Sequence, residues 1–422
     1  MIDYNDYAKE CIKNSNAKLK ASANGVKKLM DDKFYMSIHW GHSSKYGLSE
    51  WYLFSGKYDI YEYVEEAMQF NPVNFNADEW AKTALDAGMK GILITAKHHD
   101  GFCLFDSKLT EFKSTNAAFG RDAMKELADA CHKYGLEICF YYSLLDWHHP
   151  AYVMDWPEYV RYYHGQVREL CTNYGKVGAM LFDGFWPNSG AGCDYNDPLV
   201  RHFLSEGDWE FGDLYDMIHS LQPDCMITNN MHVAPLPGED FQTFEQDMPG
   251  ENKQGWNTTE ISDLPLAAWL TTNDSWAYVP TDQNYKTVGF LVRSLMSLSG
   301  IDTAFFLNVG PSPDGRIVQA DKDILAGMGK WLKANGDAIY GTRSVAKYEW
   351  GFVTKKDNKL FLYLLGFPGK KFVLENLPFV PKTAAMMDGE ALKLTQDNGK
   401  LTISMPYRPH NPRGSIIVLQ GE

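Results

Sequence analysis

One arrangement recurs along this chain and limits its fold more than any other: an amphipathic helix, a glycine that stops it, and a short apolar strand. Residues 76–97 begin with Asn76 as a cap and Glu79 three residues on, a capping-box pattern. Trp80, Ala84 and Ala87 form a helical stripe, Gly88 ends it, and Gly91 to Lys97 read as a strand. Residues 121–143 repeat this, with Met124, Leu127, Ala128 and Cys131 at helical spacing, a stop at Gly135 and a strand from Leu136 to Ser143. A third copy runs from a helix at 156–174, with Pro157 in its first turn, through Gly175 to a strand ending at Asp183. Phe34 to Gly41, Met226 to Asn230 and Ala304 to Gly310 read as further strands. Apolar strands alternating with amphipathic helices make parallel βα units. Over some 300 residues they predict a (β/α)8-like, TIM-type barrel. A doubly wound open sheet is disfavoured, because Trp40-Gly41-His42-Ser43 after the first strand is no GxGxxG loop.

Residues 3–30 are polar with scattered apolar positions and predict one or two helices outside the main body. Past residue 342 the pattern changes to short β-like segments, such as 359–365 and 400–405, separated by Lys356-Asp357-Asn358, Asp388-Gly389 and Asp397-Asn398-Gly399. That spacing predicts an antiparallel β-sandwich. The expected division is a catalytic barrel at 1–342 and a C-terminal sandwich at 343–422, packed together because no low-complexity linker intervenes.

A formal charge of −14 argues against nucleic acid or an anionic membrane as partner. The seven cysteines include no CxxC pair, so neither a zinc knuckle nor a disulfide framework is indicated, and most are expected to be small buried hydrophobes. No basic segment followed by an apolar run opens the chain, which as it stands points to the cytoplasm. Oligomeric state is not legible.

Functional residues of a parallel barrel gather at the C-terminal ends of its strands. Here those ends carry His39 and Trp40, Lys97-His98-His99-Asp100, Tyr141-Tyr142, Asp146-Trp147-His148-His149, Asp183 with Trp186, and Asn229-Asn230. Asp183 follows four apolar residues and precedes Gly184-Phe185-Trp186, a costly place for a carboxylate unless something compensates. It reads either as a helix cap or as a reactive acid. The paired histidines admit a metal site, a local backbone role, or hydrogen bonds to sugar hydroxyls. Strand alternation turns neighbours to opposite faces and weighs against His98 and His99 sharing an ion. No GxSxG elbow is present, which disfavours a serine hydrolase. Glycoside hydrolysis needs two carboxylates. Asp183 is the best nucleophile candidate, with Glu239, Asp240 and Glu245 as possible partners that spacing alone does not separate.

These stretches resemble the α-L-fucosidases of glycoside hydrolase family 29. The similarity rests on Ile38-His39-Trp40-Gly41, Glu50-Trp51-Tyr52, Phe70-Asn71-Pro72 and Thr95-Ala96-Lys97-His98-His99-Asp100-Gly101-Phe102. It continues through Tyr141-Tyr142-Ser143-Leu144-Leu145-Asp146-Trp147, Phe182-Asp183-Gly184, Thr243-Phe244-Glu245-Gln246, Ser275-Trp276-Ala277-Tyr278 and Leu307-Asn308-Val309-Gly310-Pro311. The resemblance implies a barrel with a C-terminal β-sandwich and a retaining, exo-acting enzyme that releases terminal α-L-fucose from fucosylated glycans. It implies Asp183 as nucleophile and Glu245 as acid/base, with Glu239 in reserve. His39, Glu50, Trp51, His98, His99 and Tyr141 match fucose-binding positions. Trp276 matches an aromatic lining position, and Trp186 is placed with them. No metal or cofactor is implied. Two departures stand out: Met231 where many members carry Arg, and Leu181 where many carry Trp. A catalytically weakened fucose-binding protein and a metal-dependent sugar isomerase or aldolase remain as other readings.

Overall fold

Eight strands hydrogen-bond side by side in one parallel sheet: β1 (Phe34–Ile38), β2 (Gly91–Lys97), β3 (Glu137–Ser143), β4 (Val177–Asp183), β5 (Met226–Asn229), β6 (Gln242–Glu245), β7 (Leu266–Thr271) and β8 (Thr303–Val309). The structure is a computed structural model that describes residues 15–55, 59–184, 208–397, 399–405 and 414–421. The order is β5-β4-β3-β2-β1-β8-β7-β6, so the sheet curls until its two ends face each other. No ladder joins β5 to β6 among the described residues. The seam is closed instead by single bonds. Asp240 N–H donates to the Ile227 carbonyl at 2.8 Å, the Thr228 hydroxyl to Phe241 at 2.7 Å, and the Thr243 hydroxyl to Asn229 at 2.6 Å. The result is the expected (β/α)8-like barrel, nearly closed.

The connecting helices start where their caps lie. The Asn76 side chain accepts the Glu79 N–H at 3.1 Å and opens the helix Ala77–Asp86. Asp122 and Asp155 do the same for Ala123–Lys133 and Trp156–Asn173. Each such cap is worth about 1 kcal/mol.

Differences from the expected elements have local causes. β1 stops at Ile38, three residues early, because His39, Trp40 and Gly41 have already left the sheet at its C-terminal end. β6 and β7 were not anticipated as strands. β6 is only four residues long, and Phe244 is its sole large apolar residue, too little for a periodic signal. The described part of the N-terminal region also differs. The helix Ala23–Asp32 does not lie outside the body: Leu29 is buried with Tyr35, Leu93 and Phe306 of the barrel interior. Tyr7 and Cys11 lie outside the described residues. Cys103, Cys131, Cys139, Cys171 and Cys225 are buried and free, while Cys193 lies outside the described residues.

The C-terminal strands run antiparallel in two sheets, matching the expected sandwich. β9 (Arg343–Tyr348), β10 (Gly351–Lys356), β11 (Lys359–Leu364), β13 (Thr383–Met386) and β16 (Ser415–Gln420) form one; β12 (Lys371–Leu374), β14 (Lys393–Asp397) and β15 (Lys400–Ser404) form the other. Leu362, Phe372, Ile403 and Ile417 fill the space between the sheets. Phe352, Phe361 and Tyr363 face the other way and join the core around the barrel. Among the described residues no helix is long and apolar enough to cross a membrane.

Candidate active site

One cavity of about 720 Å³ opens at the C-terminal end of the barrel. His39, Glu50, Trp51, His98, His99, Tyr141, Asp183, Glu245 and Trp276 all line it. Nine residues expected at the site, drawn from seven separate stretches of chain, therefore meet in one place. Trp186 lies outside the described residues.

Asp183 is the last residue of β4. Its Oδ2 accepts the Tyr141 hydroxyl at 2.6 Å and stands 3.9 Å from His99 Nε2, while Oδ1 is buried without a hydrogen-bond partner among the described residues. The chain turns away at Gly184 with φ 79°, and a Cβ there would meet Leu145 Cγ at 2.8 Å and His99 Cε1 at 3.0 Å. Glycine is thus required both by the backbone and by the space. Glu245 ends β6 across the cavity. Its Oε2 accepts Asn230 Nδ2 at 2.7 Å and lies 3.5 Å from His232 Nε2.

Burial dominates the electrostatics. It lifts Asp183 to about 8, helped by the charge of Glu245, against hydrogen bonds from Tyr141 and the Gly184 N–H that favour the anion. It lifts Glu245 to about 7, against Asn230, with the Glu50 charge adding to the rise. Burial raises Glu50 too. No Lys or Arg is among the described residues lining the cavity, so three carboxylates share it without a permanent cation. Such a field repels anionic ligands and favours a reacting centre that becomes positive.

The histidines are neutral and their tautomers follow from their neighbours. Asn308 Nδ2 donates to the Trp276 carbonyl at 2.7 Å, which turns Oδ1 toward His39 Nδ1 at 2.8 Å. His39 therefore carries its proton on Nδ1 and leaves Nε2 an acceptor; burial holds its pKa down at about 4. Ser143 gives its only proton to the Leu145 carbonyl at 2.9 Å, so its oxygen accepts from His99 Nδ1 at 2.6 Å. His99 is again an Nδ1–H tautomer, and burial pushes it well below the usual range. His98 lies flat against Tyr141, with ring centroids 5.5 Å apart. Both His98 and His99 line the cavity, with ring centroids 4.1 Å apart. Strand alternation does not separate them, because β2 ends at Lys97 and both sit in the turn beyond it. No group of three His, Cys, Asp or Glu side chains that could hold a metal occurs among the described residues.

Other residues from the strand ends serve the scaffold. Lys97 Nζ bonds Asp146 Oδ2 at 3.2 Å, with both side chains fully buried. Asp146 Oδ1 accepts the N–H groups of His148 and His149. Asp100 accepts the Tyr63 hydroxyl. Glu239 does not line the cavity; it accepts from Tyr215 at 2.8 Å, Asn229 at 2.6 Å and the Leu236 N–H at 2.9 Å. Asp240 is held by His219 and two backbone N–H groups. Met231 is fully buried in the core and does not line the cavity, whereas its neighbour His232 lines it beside Glu245. Leu181 does line it. Sequence reasoning missed His232, Trp256 and Trp269. The position of His232, two residues past the Asn229-Asn230 strand end, was an available signal.

The sequence model of the family described as Alpha-L-fucosidase matches residues 4–337. The chain belongs to the α-L-fucosidase family. Isoenzyme 1 of the α-L-fucosidase from Paenibacillus thiaminolyticus is 34% identical, with a TM-score of 0.79 over 95% of this chain and 100% of that one. The Thermotoga maritima α-fucosidase, solved in complex with a mechanism-based inhibitor, is 27% identical, with a TM-score of 0.74 over 96% and 100% of the two chains. Tissue α-L-fucosidase of Rattus norvegicus is 27% identical over 89% of this chain and 85% of its own length. This α-L-fucosidase family member is a glycoside hydrolase, and the cavity described above is its candidate active site.

Proposed function

We propose that the protein is an exo-acting, retaining α-L-fucosidase acting on fucosylated oligosaccharides or glycoconjugates, with Asp183 as nucleophile and Glu245 as acid/base. Fucose lies among His39, Glu50, Trp51, His98, His99, Tyr141 and Trp276. Asp183 attacks the anomeric carbon while Glu245 gives its proton to the glycosidic oxygen, and the C–O bond to the aglycone breaks. Glu245, now anionic, takes a proton from water; that water attacks the same carbon and frees Asp183, so configuration is retained.

The observation that carries this reading is the pair of carboxylates ending β4 and β6, Asp183 buried and Glu245 largely so, facing one cavity with no lining Lys or Arg among the described residues. With both acids raised by burial, the pair holds a proton near neutrality, and one proton is what the first step consumes. The surplus negative field suits an oxocarbenium-like transition state. The acceptor nitrogens of His39 and His99 suit a ligand that brings hydroxyl protons. Assignment of the two roles follows the family pattern at Phe182-Asp183-Gly184 and Thr243-Phe244-Glu245-Gln246.

The test is Glu245→Ala assayed on two leaving groups. On nitrophenyl α-L-fucoside the first step survives and the second stalls, giving a burst, and azide restores turnover with α-fucosyl azide as product. On a natural disaccharide the loss is about 10²–10⁴-fold. Equal impairment on both substrates with no response to azide would remove Glu245 from the role.

A further inference from the structure

We infer that Trp256 and His232 form the subsite for the leaving group, a neutral pyranose of a fucosylated oligosaccharide laid face-on against the Trp256 indole; this rests on Glu245 being the acid/base. An acid must reach the oxygen it protonates, so the first ring beyond the scissile bond lies next to Glu245. Two cavity-lining rings stand beside the Glu245 carboxyl. Trp276 hydrogen-bonds it and packs on His39 of the fucose side, with centroids 5.0 Å apart. His232, whose Nε2 is 3.5 Å from Oε2, leads away from the fucose residues. The Trp256 ring follows, its centroid 5.7 Å from that of His232. Trp256 lines the same cavity and keeps 40% of its surface exposed, unlike the buried Trp269 of the cavity floor.

The loop that carries Trp256 is clamped to the acid. Asn257 Nδ2 donates to the Glu245 carbonyl at 2.8 Å, and Asn257 Oδ1 accepts the Glu245 N–H at 3.4 Å. Buried Asp247 accepts the N–H groups of Lys253 and Gln254 and the Asn257 amide at 2.8 Å. The indole is thereby held in a fixed relation to the carboxyl that protonates the leaving group.

Size and charge fit a second sugar. The eleven non-hydrogen atoms of a deoxyhexose need at most about 330 Å³, even at the ~30 Å³ each that water takes in the liquid. That leaves roughly half of the 720 Å³ cavity for the aglycone. Pyranose rings present an apolar C–H face that stacks on indole and hydroxyl edges that His232 can meet. Three lining carboxylates, with no lining Lys or Arg among the described residues, favour a neutral ring over a sialylated or sulfated one.

The experiment compares kcat/KM on a fucosylated disaccharide with kcat/KM on α-L-fucosyl fluoride, whose leaving group has no ring. In Trp256→Ala the disaccharide-to-fluoride ratio falls about two- to tenfold, and Trp256→Phe recovers most of it. An unchanged ratio would overturn the proposal, whether both rates fall together or neither does. Phe54 is an exposed ring packed edge-on against cavity-lining Trp51, with centroids 5.8 Å apart. A fall in Phe54→Ala but not in Trp256→Ala would also overturn the proposal, by moving the leaving group to that side. If the wild-type protein hydrolyses neither substrate, the underlying reaction is wrong rather than the subsite.

Discussion

The charge of Glu245 raises the proton affinity of Asp183 and the Tyr141 hydroxyl lowers it, so opposite predictions follow for two substitutions near Asp183. Glu245→Gln removes the like charge and lowers the Asp183 pKa. Tyr141→Phe removes a hydrogen bond that favours the anion and raises it. With Asp183 as the proposed nucleophile, which attacks only when ionised, the acid limb of kcat/KM on α-L-fucosyl fluoride moves to lower pH in Glu245→Gln and to higher pH in Tyr141→Phe. Shifts of the same sign in both variants would show that another group controls that limb. At this scale the sequence was informative where chemistry was unusual: a carboxylate after Ala179-Met180-Leu181-Phe182 reads as a cap or as a reactive acid, and the polar and aromatic residues at the other strand ends favour the second. It offered no periodicity for His232 and Trp256, which lie in loops, and only the nearness of His232 to the Asn229-Asn230 strand end marked it. It also pointed to Met231 where the cavity-lining residue is His232, because backbone direction in a turn cannot be read from composition.

Elements hold the site through groups that never touch it. Lys97 and Asp146 tie the turn after β2 to the turn after β3, and the Trp147 N–H adds a bond to the His99 carbonyl at 2.9 Å. Gly101 lets the two turns meet: with φ 83°, its Cβ would lie 2.3 Å from Asp146 Oδ1. Lys97→Met leaves Asp146 buried and unpaired, at a cost of about 3–5 kcal/mol in urea unfolding, and adding Asp146→Asn recovers part of it. A cost near zero for Lys97→Met would mean the pair does not hold the turns. The Lys-His-His-Asp-Gly-Phe string was recognisable as a unit, yet only its two histidines reach the cavity. Helices and long strands were legible from caps, glycine stops and apolar runs; β6 was not, since its seam with β5 depends on Thr228, Thr243 and Asp240 rather than on hydrophobic pattern.

The whole molecule bears a stability cost for its cavity. Folded Asp183 and Glu245 titrate at about 8 and about 7, far above ordinary carboxyls. Between about pH 4 and pH 8 these two groups bind more protons in the folded state than in the unfolded chain, so their contribution to stability falls as pH rises. Asp183→Asn removes one such group and is therefore more stable than wild type at pH 8, by at least about 1 kcal/mol, with the difference shrinking toward pH 5. Thermal melts across that range check the sign; a variant less stable at pH 8 than at pH 5 relative to wild type would contradict it.

The claim that the chain works through a covalent fucosyl-aspartate at the end of β4 is tested most directly by trapping. Incubating the protein with 2-deoxy-2-fluoro-α-L-fucosyl fluoride and mapping its peptides by mass spectrometry locates the ester. The account predicts one 2-fluorofucosyl group, on Asp183, and none in Asp183→Gly. A label on another residue, or undiminished labelling of Asp183→Gly, would contradict it.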